Sequence, residues 1–270
     1  MFGRTIGVLR GAYIQLVLGT LLVAAMPARA AAEYVAIPSG KLASGLANDA
    51  DTGPASIAAF TMRTTPVNNG EYLAFVKTNR AWQRGRAPAT FADGTYLHAW
   101  RSAVQLGPGM SADQPATNVS WFAAEAFCEN EGGRLPTWLE WEYVAAADEN
   151  VSDARSNPAW RARILSWYSQ SSAAPLPVVG GIANIFGVRD MHGLAWEWVD
   201  DFNALLVSAD SRIQGDPDKL QFCGAGAISL KDRDNYAVLM RIALLSSLSA
   251  TSTTNNLGFR CARPLPLEKK

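Results

Sequence analysis

Apolar positions along this chain change their spacing in ways that mark out separate elements. From Tyr13 to Met26 they run almost unbroken, behind Arg4 and Arg10 and ahead of Ala28-Arg29-Ala30. A basic start, an apolar stretch and a small-x-small site in that order predict a secretory signal over residues 1–30, cleaved after Ala30, with residues 31–270 as one mature domain. The run is short for a spanning helix, no stop-transfer pattern follows, and no cysteine stands at the cleavage point to take a lipid. Beyond it, Tyr34 to Gly40 reads as a short strand ended by a turn, Ala58 to Met62 as another, and Ala43 to Ser56 as a polar, turn-rich mobile loop.

Helical spacing begins at Asn68. This residue can cap a helix with Glu71 three positions on, and Tyr72, Phe75 and Val76 then fall on one face. A second helix is predicted from the Ser120 cap through Trp121 to Glu131, with apolar positions that include Phe122, Ala126 and Phe127 and with Gly132-Gly133 ending it. A third follows Thr137, with Glu140 at the capping-box position and Trp141 and Val144 or Ala145 turned inward.

Composition narrows the function classes. With 270 residues, 49% of them hydrophobic and 18% charged, the chain can bury a sizeable core. Its formal net charge is zero, and no basic stripe points to nucleic acid or to an anionic membrane surface. The expected partners are an exported protein or a small molecule, with no membrane contact after cleavage. Nine tryptophans read as core mass. Export implies an oxidising compartment, and the alanine-rich apolar run points to a bacterial periplasm.

Candidate chemistry lies in few residues. Three cysteines in an oxidising compartment mean one bridge and a leftover thiol, or no bridge. Only His98 and His192 are present, too few for a clustered two-histidine iron site. Asp190 and Glu197 flank a tight turn whose backbone carbonyls could join them around a hard cation such as calcium, and Trp196 and Trp198 should take the opposite face from Glu197.

Several motifs in order resemble one known family. They are Ile37-Pro38-Ser39-Gly40, Pro66 to Tyr72, Asn118 to Cys128, Gly133-Arg134-Leu135-Pro136-Thr137, Glu140-Trp141-Glu142-Tyr143, Asn184 to Gly193, Trp196-Glu197-Trp198 and Asn256 to Cys261. Nearly the whole mature chain is similar to the sulfatase-modifying-factor family, that of the formylglycine-generating enzyme. The resemblance implies an α+β fold, a single C-type-lectin-like domain with little regular secondary structure for its size. It also implies a disulfide between Cys128 and Cys261, and a calcium ion held by the side chains of Asp190 and Glu197 and the carbonyls of Gly193 and Ala195. Leu194 replaces the asparagine usual in that loop, and Leu165 to Gly181 lacks the pattern of the family's other calcium loop.

One departure bears on chemistry. The family's enzyme oxidises a substrate cysteine with copper held by two cysteines after a Gly-Gly-Ser turn. The counterpart here is Phe222-Cys223-Gly224-Ala225-Gly226-Ala227, and Ile228 to Arg241 holds no cysteine. Soft thiolates suit cuprous copper, so the copper site is not expected to form. Cys223 precedes the glycines, matches neither ligand, and stands as a structural thiol or a weak functional candidate. The resemblance thus implies an accessory or maturation factor, similar to the branch encoded near copper-containing nitrite reductases. It leaves open an oxidase of a non-protein substrate, such as a siderophore chromophore precursor, and a ligand-binding module without catalysis.

Overall fold

A computed structural model describes residues 1, 3, 32–44, 53–168, 175–204 and 236–265. Apart from residues 1 and 3, the expected signal falls outside the described residues, as does Cys223, and the main compact unit begins at Ala32. Among the described residues no helix is long and apolar enough to cross a membrane.

Strand β1 (Tyr34–Ile37) and strand β2 (Gly40–Leu42) are followed by β3 (Ala55–Ile57) and β4 (Phe60–Arg63). β1 pairs antiparallel with β4, and β2 with β3. The stretch expected as a loop from Ala43 to Ser56 thus ends in a paired strand, while residues 45–52 lie outside the described set. The second strand begins at Phe60, two residues later than the sequence pattern placed it, because Phe60 and Met62 are its core-facing residues.

Helix α1 (Asn69–Thr78) starts on a complete capping box: the Asn68 side chain accepts from the Glu71 amide, and the Glu71 carboxylate accepts from the Asn68 amide. Its buried face is Tyr72, Phe75 and Val76, as the spacing predicts. Helix α2 (Trp121–Asn130) is capped by the Ser120 hydroxyl. It ends where Gly132 takes φ +74°, a conformation glycine adopts without a Cβ clash. There the Gly133 amide reaches the Cys128 carbonyl at 2.8 Å and the Gly132 amide reaches that of Glu129, the paired bonds of a Schellman stop. Of the apolar positions of α2, Phe127 lies on the buried face. Ala123, Ala124, Phe127 and Cys128 are buried, whereas Phe122 and Ala126 are half-buried, because small residues let the helix lie close against the core.

Helix α3 (Trp138–Ala145) has its own capping box on Thr137 and Glu140 and buries Trp141, Val144 and Ala145. Helix α4 (Pro158–Tyr168) and helix α5 (Tyr236–Ser246) follow, with the two-residue strand β5 (Trp196–Glu197) between them. β5 pairs in parallel with β6 (Leu257–Gly258), and β7 (Ala262–Pro264) completes the sheet order β1-β4-β7. Much of the remaining described chain is turn and irregular structure, in keeping with the expected α+β domain of low regularity.

An aromatic cluster fastens these pieces. The Phe127 ring lies 5.8 Å from Tyr72 and 5.4 Å from Phe259, and Tyr72 meets Trp100 edge-on at 6.2 Å. Beside it the Cys128–Cys261 disulfide, with an S–S distance of 2.03 Å, ties α2 to the C-terminal strand. Arg63, 2% exposed, is neutralised by Glu71 at 2.5 Å and Glu131 at 2.7 Å, which joins β4 to α1 and to the end of α2. A Cys128→Ala, Cys261→Ala double variant is expected to lose roughly 4–5 kcal/mol of unfolding free energy, the loop-closure entropy of a bridge this long. Urea denaturation with and without reductant measures it, and the variant should show no further loss on reduction.

Candidate functional site

Strand β5 turns Glu197 into the interior, where the side chain is 0% exposed. Its carboxylate meets Arg260, likewise 0% exposed, which follows β6 after one residue. Arg260 Nη2 donates to Oε1 and Nε donates to Oε2, both at 2.7 Å, and the indole N–H of Trp141 donates to Oε2 at 2.7 Å. The remaining Arg260 protons reach the carbonyls of Arg189 and Arg63. A buried ion pair is tolerable when its lone pairs and protons are met by further partners, as they are here.

Arg241 of α5 lies above this pair. Its guanidinium carbon is 3.4 Å from the Trp141 ring centroid and 5.7 Å from that of Trp138, a cation–π arrangement. Nη2 donates to the Glu197 main-chain oxygen at 2.6 Å, and Nε finds no partner. Among the described residues no carboxylate forms an ion pair with Arg241, since the Glu197 carboxylate is taken by Arg260. Burial therefore pushes the Arg241 guanidinium down to about 10, against the opposing pull of Glu197 and Tyr168.

His192 joins from the loop before β5. Its Nε2 lies 2.9 Å from the Ala145 carbonyl, which assigns the proton to Nε2 and leaves Nδ1 a lone pair, sealed from solvent with no partner. The ring stands edge-on to Trp141 at 5.8 Å and to Trp160 at 5.6 Å. Burial against these rings lowers its pKa from 6.5 to about 4, so it is neutral at pH 7.

These groups border a cavity of about 40 Å³ between α3, α4 and α5. Trp138, Trp141, Trp160, Tyr168, His192 and Arg241 form much of its wall. Such a space admits about three waters, or the head of a small organic molecule. A wider, more open recess of about 260 Å³ lies on the other side of His192 and Trp160, with Asp148, Glu149, Arg163 and Asp190 on its rim.

The structure disposes of the expected site residues unevenly. Cys128 and Cys261 are bonded, as the resemblance implies. Cys223 lies outside the described residues. The four residues expected to hold calcium are Asp190 and Gly193 of the loop and Ala195 and Glu197 at the strand. Both Glu197 oxygens are engaged by Arg260 and Trp141, and Asp190, at φ +58°, accepts the amides of Gly180 and Gly181 at 2.7 and 2.9 Å. A carboxylate already neutralised by a guanidinium has little charge left for a hard cation, so the residues as placed do not fit a calcium centre. Among the described residues no group of three histidine, cysteine or acidic side chains could hold a metal ion. Beside Glu197, Trp196 packs on Trp167 and Tyr168, and Trp198 on Phe202.

Sequence reasoning missed α4, α5 and hence the cavity. A signal for α4 was present in Asn157-Pro158, since Asn157 Oδ1 accepts from the Ala159 amide and proline suits the first helical position. For α5 the signal was Arg241 alone within the apolar run Ala237 to Leu245.

Residues 21–265 match the sulfatase-modifying factor enzyme 1-like domain, and the chain belongs to that family. It is 28% identical over 170 residues to hercynine oxygenase of Mycobacterium tuberculosis, covering 57% of this chain and 40% of that protein. It is 30% identical over 174 residues to the formylglycine-generating enzyme of Streptomyces coelicolor, covering 57% and 54%. The chain thus spans about half the length of these curated relatives. The solved structure of PvdO from Pseudomonas aeruginosa aligns over 86% of this chain and 94% of its own, with 18% identity and a TM-score of 0.44.

Two outcomes follow from the buried charges. Glu197→Gln should cost about 3–5 kcal/mol, because Arg260 is left buried without its counter-charge, and chemical denaturation checks this. His192 binds a proton near 6.5 when unfolded but only near 4 when folded. Stability is therefore complete above about pH 6.5 and falls as pH drops towards 4, with a slope approaching one proton taken up on unfolding. Urea titrations across that window measure the slope, and His192→Gln should flatten it.

Proposed function

We propose that this chain is an exported accessory factor that supports the maturation of another exported protein, working by binding in the cavity beneath α5 and not by oxidising a substrate cysteine. The observation that carries this reading is the composition of the segment where the resemblance puts the copper thiols. Residues 228–241 contain no cysteine, and the described end of that segment contributes Ala237, Val238 and Arg241 to the cavity wall. A fixed guanidinium backed by indoles repels a cation and attracts an anion, the reverse of what a cuprous site needs. The periplasm is the compartment of this proposal, supported by the basic and apolar pattern of residues 1–30 and by the Cys128–Cys261 bridge. A copper-containing nitrite reductase is the partner to which the resemblance points. Calcium has no part in the proposal, given the engagement of Asp190 and Glu197.

A second reading is an oxidase of a non-protein substrate, for instance a siderophore chromophore precursor. It is favoured by the narrow, tryptophan-lined cavity and by a relative named for oxygenation of hercynine, a small molecule. Oxygen consumption with candidate small molecules separates the two, since an accessory factor consumes none.

The purified protein should bind no stoichiometric cuprous copper through two thiols, and it should leave a sulfatase-motif peptide unchanged. Formylglycine found in that peptide by mass spectrometry would overturn the reading.

A further inference from the structure

We propose that the cavity between α3, α4 and α5 is a carboxylate site, in which a small organic acid places one oxygen on Arg241 Nε and the other on the Trp138 indole N–H. Two separate observations lead to it. Trp138 is 1% exposed and Arg241 2% exposed; both residues line the cavity, and the Trp138 indole N–H and Arg241 Nε are sealed donors with no protein partner. Buried donors left unmet cost free energy, and most such groups in folded proteins have a partner in protein or solvent. Secondly, Arg241 carries a full charge into the interior without an ion-pair partner among the described residues, held only by a main-chain oxygen and the Trp141 face. A buried cation of this kind calls for an anion.

The form of the site selects the anion. Two separate donors match the two acceptor oxygens of a carboxylate, and charge-assisted bonds of this type are the stronger ones. Trp160, Ile164 and Ala145 form an apolar part of the wall, and Glu142, which also lines it beside Arg155 at 3.5 Å, adds a negative charge; both favour a singly charged acid with a hydrocarbon body over a heavily hydrated phosphate dianion. The volume of about 40 Å³ limits the occupant to a few heavy atoms, or to the acid end of a longer molecule that extends outward. Stacking on Trp141 and the bond to the Glu197 main chain hold the Arg241 guanidinium plane in place before binding. His192 Nδ1, the third unmet group on this wall, is an acceptor and can take a hydroxyl or amine proton from a substituted acid.

This assignment rests on the cavity being the functional site, but it does not depend on the absence of copper chemistry. Formylglycine formation would remove the accessory reading and leave acid binding untouched, so the two fail separately.

The test titrates the purified protein with propionate, with its neutral isostere propionamide and with inorganic phosphate, following the tryptophan indole N–H resonances. Propionate should move the Trp138 resonance saturably, and propionamide and phosphate should bind at least about tenfold more weakly. Trp138→Phe, which keeps an aromatic ring and deletes the donor, should weaken propionate binding about tenfold, as should Arg241→Lys, which keeps the charge and deletes Nε. Either variant suffices if the other fails to fold. The proposal is overturned if propionate gives no saturable change, if propionamide or phosphate binds as tightly, or if a folded variant binds propionate like the parent protein.

Discussion

The ion pair between Glu197 and Arg260 is the constraint on which the surrounding structure depends. Two opposite charges with almost no solvent exposure are sustainable only if every neighbouring element stays in place to meet their remaining hydrogen-bonding capacity. Trp141 of α3, the carbonyl of Arg63 at the end of β4 and that of Arg189 in the loop before β5 all do so. Segments far apart in sequence thus converge on a single salt bridge. The parallel pairing of β5 with β6 sets the two charges side by side, since Glu197 faces Gly258 across the ladder and Arg260 lies two residues on.

Arg241 extends this arrangement and changes its character. Glu197 is already neutralised, so the second guanidinium receives only a main-chain oxygen and two indole faces. Its charge therefore lies against a largely aromatic part of the cavity wall, which also carries the Glu142 carboxylate beside Arg155, next to a histidine that burial keeps neutral. The pattern is the opposite of a soft cation site, and it accords with the lack of cysteine in residues 228–241.

Rigidity comes from elsewhere. The packed rings of Tyr72, Phe127 and Phe259, the Cys128–Cys261 bridge and the Arg63 pairs fasten α1, α2 and the C-terminal strand into a frame. The cavity lies between α3 and the pair α4 and α5, which supply single large residues such as Trp160, Tyr168 and Arg241. A stiff frame with a wall of separate aromatic side chains keeps donors aimed at fixed points, which is what small-ligand selectivity requires.

Local chemistry was legible in the chain by itself. The caps at Asn68, Ser120 and Thr137, the glycine stop after α2 and the one-sided face of α1 are bonds and periodicities between near neighbours, so sequence sufficed to place them. Family motifs likewise announced the fold and the disulfide. What the sequence could not decide was pairing over long separations. Glu197 reads equally well as a metal ligand or an arginine partner until the β5–β6 register puts Arg260 against it, 63 residues away. Trp138, His192 and Arg241 have ordinary neighbours in the chain, and only the packing of α5 over α3 gathers them around one space. Burial keeps His192 neutral and lowers the pKa of Arg241, and it is a property of the assembled interior.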